Sequence, residues 1–284
     1  MTRETDREGA TTRGEVVTRL GRALAFRRWQ SIVNAVRGLR RGPIVMYHSF
    51  SPGGWRFINP ETFRRHLEIV AGSYEVVGLP QLVDELAAGA DTGRHVALTV
   101  DDAYEDFFTV AYPILREMRL PATVFVPTAY VGRHNDWEDR PHVTLPVMSA
   151  AQLLELDPTL ITIGSHSVEH RAMSGLDQSA LEREVRESKA ALERLIRRPV
   201  TLFAYPFGEL WTYTGRTRQA LRRAGYRAAV STRTGTYGSR RELFDLRRIE
   251  FGAFDTADEI LARLAGDWDW RAGRELVTYA LTSR

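Results

Sequence analysis

The chain has no cysteine in its 284 residues, which excludes disulfide frameworks, cysteine nucleophiles and thiolate metal sites alike. Lysine is nearly missing too, since Lys189 is the only one among 39 basic residues. The net charge of +3 is too slight for the broad basic field of a nucleic-acid binder, so no nucleic-acid partner is expected. No run approaches the roughly 18 apolar residues of a spanning helix. The first residues, MTRETDREGATTRGEV, lack the apolar stretch of a secretory leader, and the expectation is a cytoplasmic protein. No histidine follows His170.

What is present alternates. Residues 1–15 are polar and predicted disordered. Residues 16–42 form a basic, partly amphipathic helical segment ending at Gly42-Pro43, with eight arginines against Glu15 between positions 13 and 41. Its apolar side, Phe26, Trp29, Ile32, Val33, Val36 and Leu39, suits either packing or peripheral contact with an anionic membrane face. From 43 to 265, short β-rich runs such as IVMYH, HVALTV, ATVFVP, LITIGSH, TLFAYPFG, YRAAVST and LRRIEF are separated by helical patterns. The most regular helix begins at Asp177. Six or seven such units predict a parallel, buried sheet in a (β/α) barrel. Residues 266–284 form a C-terminal tail, with DWDW expected to pack there.

In such barrels the carboxyl ends of the strands carry the chemistry. Here those ends carry His48, Asp101-Asp102, His166 with His170, and Tyr205-Pro206-Phe207-Gly208. Adjacent carboxylates repel, and a buried one needs a partner. Two histidines four residues apart, in GSHSVEH, can face one ion, and two imidazoles with one carboxylate leave coordination positions open. One aspartate would then bind the metal while the other takes a proton from water. Tyr104, Trp137 and Trp211 are aromatic candidates for stacking on a sugar, and the irregular 128–147 stretch is placed to wall a cleft. His66 is expected at a solvated helix surface, and His95 in a structural role.

TVDDAYED, GSHSVEH and FAYPFG, with IVMYHSF before them, resemble in order and spacing the three motifs of the polysaccharide deacetylases, carbohydrate esterase family 4 with the NodB homology domain. The resemblance spans roughly 43–251. It implies a deformed (β/α) barrel that hydrolyses an N-acetyl group on a sugar with a divalent metal, usually Zn2+, with Co2+ or Ni2+ accepted. It assigns the metal to Asp102, His166 and His170, the general base to Asp101, and an oxyanion-holding backbone N–H to Tyr205. Pro206 and Phe207 would line the substrate site. Two departures stand out. Ala204 replaces an arginine that orients the base in many members, for which Arg248 is a candidate substitute. The late histidine acid is missing, and His48 is the best-placed replacement. The expected substrate is an N-acetylated sugar or glycoconjugate. The rivals are an amidohydrolase or deformylase acting on another amide, and a silent glycan-binding homologue.

Overall fold

The computed structural model describes residues 42–52, 56–137, 143–236 and 242–269. The expectations for residues 1–15 and 16–41 and for the tail beyond Asp269 fall outside the described residues, as do positions 138–142 of the irregular 128–147 stretch.

Among the described residues, eight strands alternate with seven helices. The strands are β1 (Ile44–Tyr47), β2 (Glu75–Val76), β3 (His95–Val100), β4 (Ala122–Val126), β5 (Ile161–Ser165), β6 (Leu202–Ala204), β7 (Ala228–Thr234) and β8 (Leu246–Glu250). The helices are α1 (Pro60–Ser73), α2 (Leu79–Ala88), α3 (Tyr112–Met118), α4 (Ala150–Glu155), α5 (Gln178–Ile196), α6 (Gly215–Arg223) and α7 (Ala257–Leu264). All pairings between these strands are parallel, and β1 pairs with both β3 and β8, which closes seven strands into a barrel with β2 appended to β3. The barrel is deformed. β5 and β6 share a single paired position, Ser165 with Phe203, and the β7–β8 register shifts between Val230 and Thr234.

Helix starts follow local chemistry. Asn59 and Asp177 accept a backbone N–H from the first turns of α1 and α5, while Ser149, Thr214 and Thr256 form reciprocal capping boxes on α4, α6 and α7. Before α3, residues Phe107–Ala111 form a π-helical turn. It ends two residues before Pro113 in the first turn of α3, and the missing N–H of that proline removes one normal helical bond back to the π-helical turn.

Alternation along each strand sorts side chains into two cores. One lies inside the barrel and contains Ile44, Ala97, Phe125, Leu202, Ala204, Ala228, Val230 and Leu246, closed below by Leu79, Leu82, Val83 and Leu86 of α2. The other lies between the barrel and its helices. The interior is filled rather than hollow: a Cβ at Gly164 would stand 2.5 Å from the Phe125 ring, so glycine there makes room for that aromatic. Continuing the inward series by two residues leads from Leu246 to Arg248, from Ala97 through Thr99 to Asp101, and from Gly164 to His166. The filled lower barrel thus supports a polar upper layer.

The expected solvated position of His66 is overturned, because the residue is fully buried. Its ring stacks on Tyr47 and meets Phe251 edge-on, and neither nitrogen finds a hydrogen bond. α1 therefore turns this ring inward with Phe63, Leu67 and Val70. Burial, with the neighbouring Arg65 charge, pushes its pKa down to about 4. An unfolded histidine binds its proton near pH 6.5, so folding expels that proton below this pH and stability falls between 6.5 and about 4. In urea titrations, the wild-type disadvantage relative to His66→Leu should grow by up to about 1.4 kcal/mol per pH unit across that window. A difference independent of pH would contradict the buried, neutral ring.

Candidate active site

The acidic run after β3 is divided among different partners. Asp101 is buried, and its two oxygens accept from Arg248 Nη1 at 2.7 Å and Nη2 at 2.5 Å. Arg248 is itself 1% exposed. Its Nε donates to the Ser231 carbonyl at 2.8 Å, Nη1 also reaches Thr99 Oγ1, and the guanidinium lies 6.0 Å from the Phe125 ring centroid. Burial raises the Asp101 pKa, but the charge and hydrogen bonds of Arg248 outweigh it and hold the carboxyl below its usual value. Ala204, where the family resemblance implied an arginine, lies inside the same barrel. The guanidinium comes instead from β8, as Arg248.

Asp102 and Ala103 both adopt positive φ, 66° and 51°. This left-handed turn sends the second carboxylate elsewhere: Asp102 Oδ1 lies 3.4 Å from His166 Nε2 and 3.3 Å from His170 Nε2. The two imidazole nitrogens are 3.2 Å apart. His166 Nδ1 faces the Ala204 carbonyl at 2.8 Å and so must donate to it, which leaves Nε2 as the bare nitrogen of the neutral ring. Ligand atoms about 2.0–2.1 Å from a tetrahedral zinc lie about 3.3–3.4 Å from one another. The triangle of Asp102, His166 and His170 matches one face of that tetrahedron and fits such an ion.

The electrostatics agree with this. Burial raises the Asp102 pKa, but the two imidazoles facing its carboxylate hold it well below the usual range. Burial lowers His166, yet the facing Asp102 carboxylate and the Asp101 charge bring its pKa above normal. His170 is shifted down by burial, despite the Asp102 carboxylate beside it. The cluster attracts positive charge while burying every group that could carry it.

His48 closes the other side of Asp101, with Nε2 3.7 Å from Asp101 Oδ2. Burial lowers its pKa to about 4, so the resting ring is neutral. Asp106 holds the segment behind it: one carboxylate oxygen accepts from Ser49 Oγ and from Phe50 N–H, each at 2.8 Å. Glu105 accepts from Gln152 at 2.8 Å. Each acid of DDAYED thus has a separate task.

The oxyanion assignment needs correction. The Tyr205 N–H is spent in the sheet, donating to the Val230 carbonyl at 3.1 Å, and its hydroxyl donates to the Phe244 carbonyl. Two residues on, Phe207 has φ 61° and Gly208 φ 68°. Only glycine suits position 208, because a Cβ there would meet Thr232 N at 2.6 Å. The Phe207 N–H has no acceptor among the described residues, and its ring stands 5.0 Å from His170. Of the aromatic candidates, Phe207 is 41% and Trp211 56% exposed. Tyr104 is buried, stacked behind Trp137 at 6.0 Å, and so offers no open face; Pro206 is buried too. Half-buried Trp137 backs His170 at 4.7 Å.

Sequence reasoning missed Asp106 and the Phe207 N–H. The first had a signal, an extra acid one turn beyond the aspartate pair. The second had none stronger than the Pro-Phe-Gly turn.

Comparison with known proteins agrees with this architecture. The polysaccharide deacetylase family model matches residues 88–229. YxkH of Bacillus subtilis (strain 168), named as a polysaccharide deacetylase, is 26% identical over 209 residues, covering 73% of this chain and 70% of its own. The poly-beta-1,6-N-acetyl-D-glucosamine N-deacetylase of Staphylococcus aureus (strain MRSA252) is 27% identical over 124 residues, 40% of this chain and 41% of that protein. In fold, the Streptococcus pyogenes deacetylase PplD aligns with a TM-score of 0.68 at 24% identity, over 79% of this chain and 98% of that one. IcaB from Ammonifex degensii aligns with a TM-score of 0.66 at 21% identity, over 80% and 99%. A closed parallel barrel with the Asp-Asp and His-x-x-x-His strand ends, together with a family match over half its length, makes this chain a member of the polysaccharide deacetylase family, a deacetylase hydrolase.

Proposed function

We propose that the protein removes the N-acetyl group from an amino-sugar unit of a glycan, with a divalent ion held by Asp102, His166 and His170. The observation that carries this reading is the division of the adjacent aspartates, one fixed by an arginine and the other facing two imidazole nitrogens at tetrahedral spacing. The S. aureus relative named for poly-N-acetylglucosamine deacetylation supports an N-acetylglucosamine-containing substrate. Zinc suits the two-nitrogen, one-oxygen donor set. When bound, such an ion lowers the pKa of a water and polarises the acetyl carbonyl.

The chain's own groups supply the rest. The Arg248 fork keeps Asp101 ionised and rigid, so its carboxylate can take the proton of the attacking water. His48, neutral at rest, would take that proton from Asp101, whose Oδ2 lies 3.7 Å from its Nε2, and pass it to the departing sugar nitrogen, filling the role of the missing late histidine. The free Phe207 N–H takes over the donor role expected of Tyr205 and meets the negative oxygen that develops on the acetyl carbon. The open faces of Phe207 and Trp211 are suited to a pyranose ring.

Two outcomes are expected. Asp101→Asn should abolish release of acetate from N-acetylglucosamine oligomers while the folded protein still takes up one zinc per chain, and His48→Ala should lower kcat by about 10²–10⁴-fold. Surviving activity in Asp101→Asn would remove it as the base. Asp106→Ala strands the buried Phe50 N–H and leaves the Ser49 hydroxyl only its contacts with Ser51, so it should cost about 1–3 kcal/mol in urea unfolding and slow turnover without weakening zinc uptake. Reduced zinc uptake would show that Asp106 acts on the metal ligands instead.

A further inference from the structure

Glu184 lies in the middle of the inward stripe of α5, between Leu181 and Val185, and is completely buried. A carboxylate there costs several kcal/mol unless it is compensated, and no arginine or lysine pairs with it among the described residues. Its compensation comes from backbone. One oxygen, Oε2, accepts the N–H of Val168 at 2.8 Å and of Glu169 at 2.9 Å, two of the three residues in the turn between His166 and His170.

That turn needs an outside hold. Ser167 and His170 sit at φ 66° and 52°, conformations that cost a non-glycine residue roughly 1–2 kcal/mol each. The turn's carbonyls are taken by Thr128 N–H and Ala129 N–H, and Ser167 Oγ accepts the His170 N–H at 3.0 Å. Of the turn's amides, only those of Val168 and Glu169 face α5, and without Glu184 they would be left without a partner.

We infer that Glu184 is a positioning residue: its carboxylate oxygen, by accepting both amides, fixes the strained turn that brings His170 Nε2 beside His166 and Asp102. This rests on the metal-site reading above. It acts as a hydrogen-bond acceptor, not as a charge, so glutamine should replace it and leucine should not. The cost falls on the third ligand rather than on the sugar-binding rim, because His170 follows directly on the two held amides. Outer partners of metal ligands typically change affinity 10–100-fold.

The test titrates Zn2+ into chelator-stripped full-length protein in competition with a coloured chelator, with amide hydrogen exchange measured on the same samples. Glu184→Leu should weaken zinc by about 10–100-fold and speed exchange at Val168 and Glu169, whereas Glu184→Gln should stay within about threefold of wild type and keep both amides protected. Wild-type zinc affinity in the leucine variant, or a glutamine variant as weak as leucine, would overturn the inference. Should the leucine variant fail to fold, the glutamine variant decides: retained protection with retained affinity supports it, and lost protection with full affinity refutes it. No zinc uptake by the wild type would instead remove the metal site itself, and the inference with it.

Discussion

The buried fork between Arg248 and Asp101 is the contact on which the site depends. Two adjacent carboxylates at the end of a buried strand are unstable together unless each has its own positive partner. Arg248 satisfies the first, with two contacts of 2.7 and 2.5 Å. The left-handed turn at Asp102 frees the second for the imidazoles. Because the guanidinium also anchors to Ser231 and Thr99, the base is tied to three strands and cannot swing toward the metal ligands.

The interior had to be shaped for this. Gly164 leaves room for the Phe125 ring, which fills the floor under the guanidinium from β8. Above it, loops do the fine placement through buried acceptors: the Ala204 carbonyl sets the His166 ring, Asp106 sets the segment after His48, and Glu184 sets the turn before His170. Each of these acceptors governs a group that acts in the proposed reaction, two of them metal ligands and the third the proton donor. In the proposed reaction, Arg248 and His48 fill the two roles for which the family resemblance implied an arginine at position 204 and a late histidine.

Much of this was legible in the residues. Alternating apolar runs and helix signals announced the barrel, because burial on both faces of a parallel sheet leaves continuous hydrophobic strands. That Asp102, His166 and His170 would meet was expected from a histidine pair at one strand end and an aspartate pair at another. The choice of Asp102 over Asp101 came from the family resemblance, and the structure brings the three side chains together. The rest depended on geometry that spacing does not encode. Tyr205 and Phe207 differ only in which amide the β6–β7 ladder consumes. Tyr104 and Trp211 are both aromatic, and only packing decides that the first is covered. His66 carries a polar label, but the helical face it shares with Phe63 and Leu67 turns it inward. The fork from Arg248 followed from strand parity, which places residue 248 on the face of Leu246 and leaves Arg247 on the other.

The most direct test is the stability of Arg248→Met, Asp101→Asn and their combination, by urea unfolding at neutral pH. Each single change strands a buried partner and should cost about 3–5 kcal/mol, while the double variant, with no unpaired charge left, should be more stable than Arg248→Met alone. A double variant destabilised by the sum of the two losses would show that the pair does not interact, and would contradict the account.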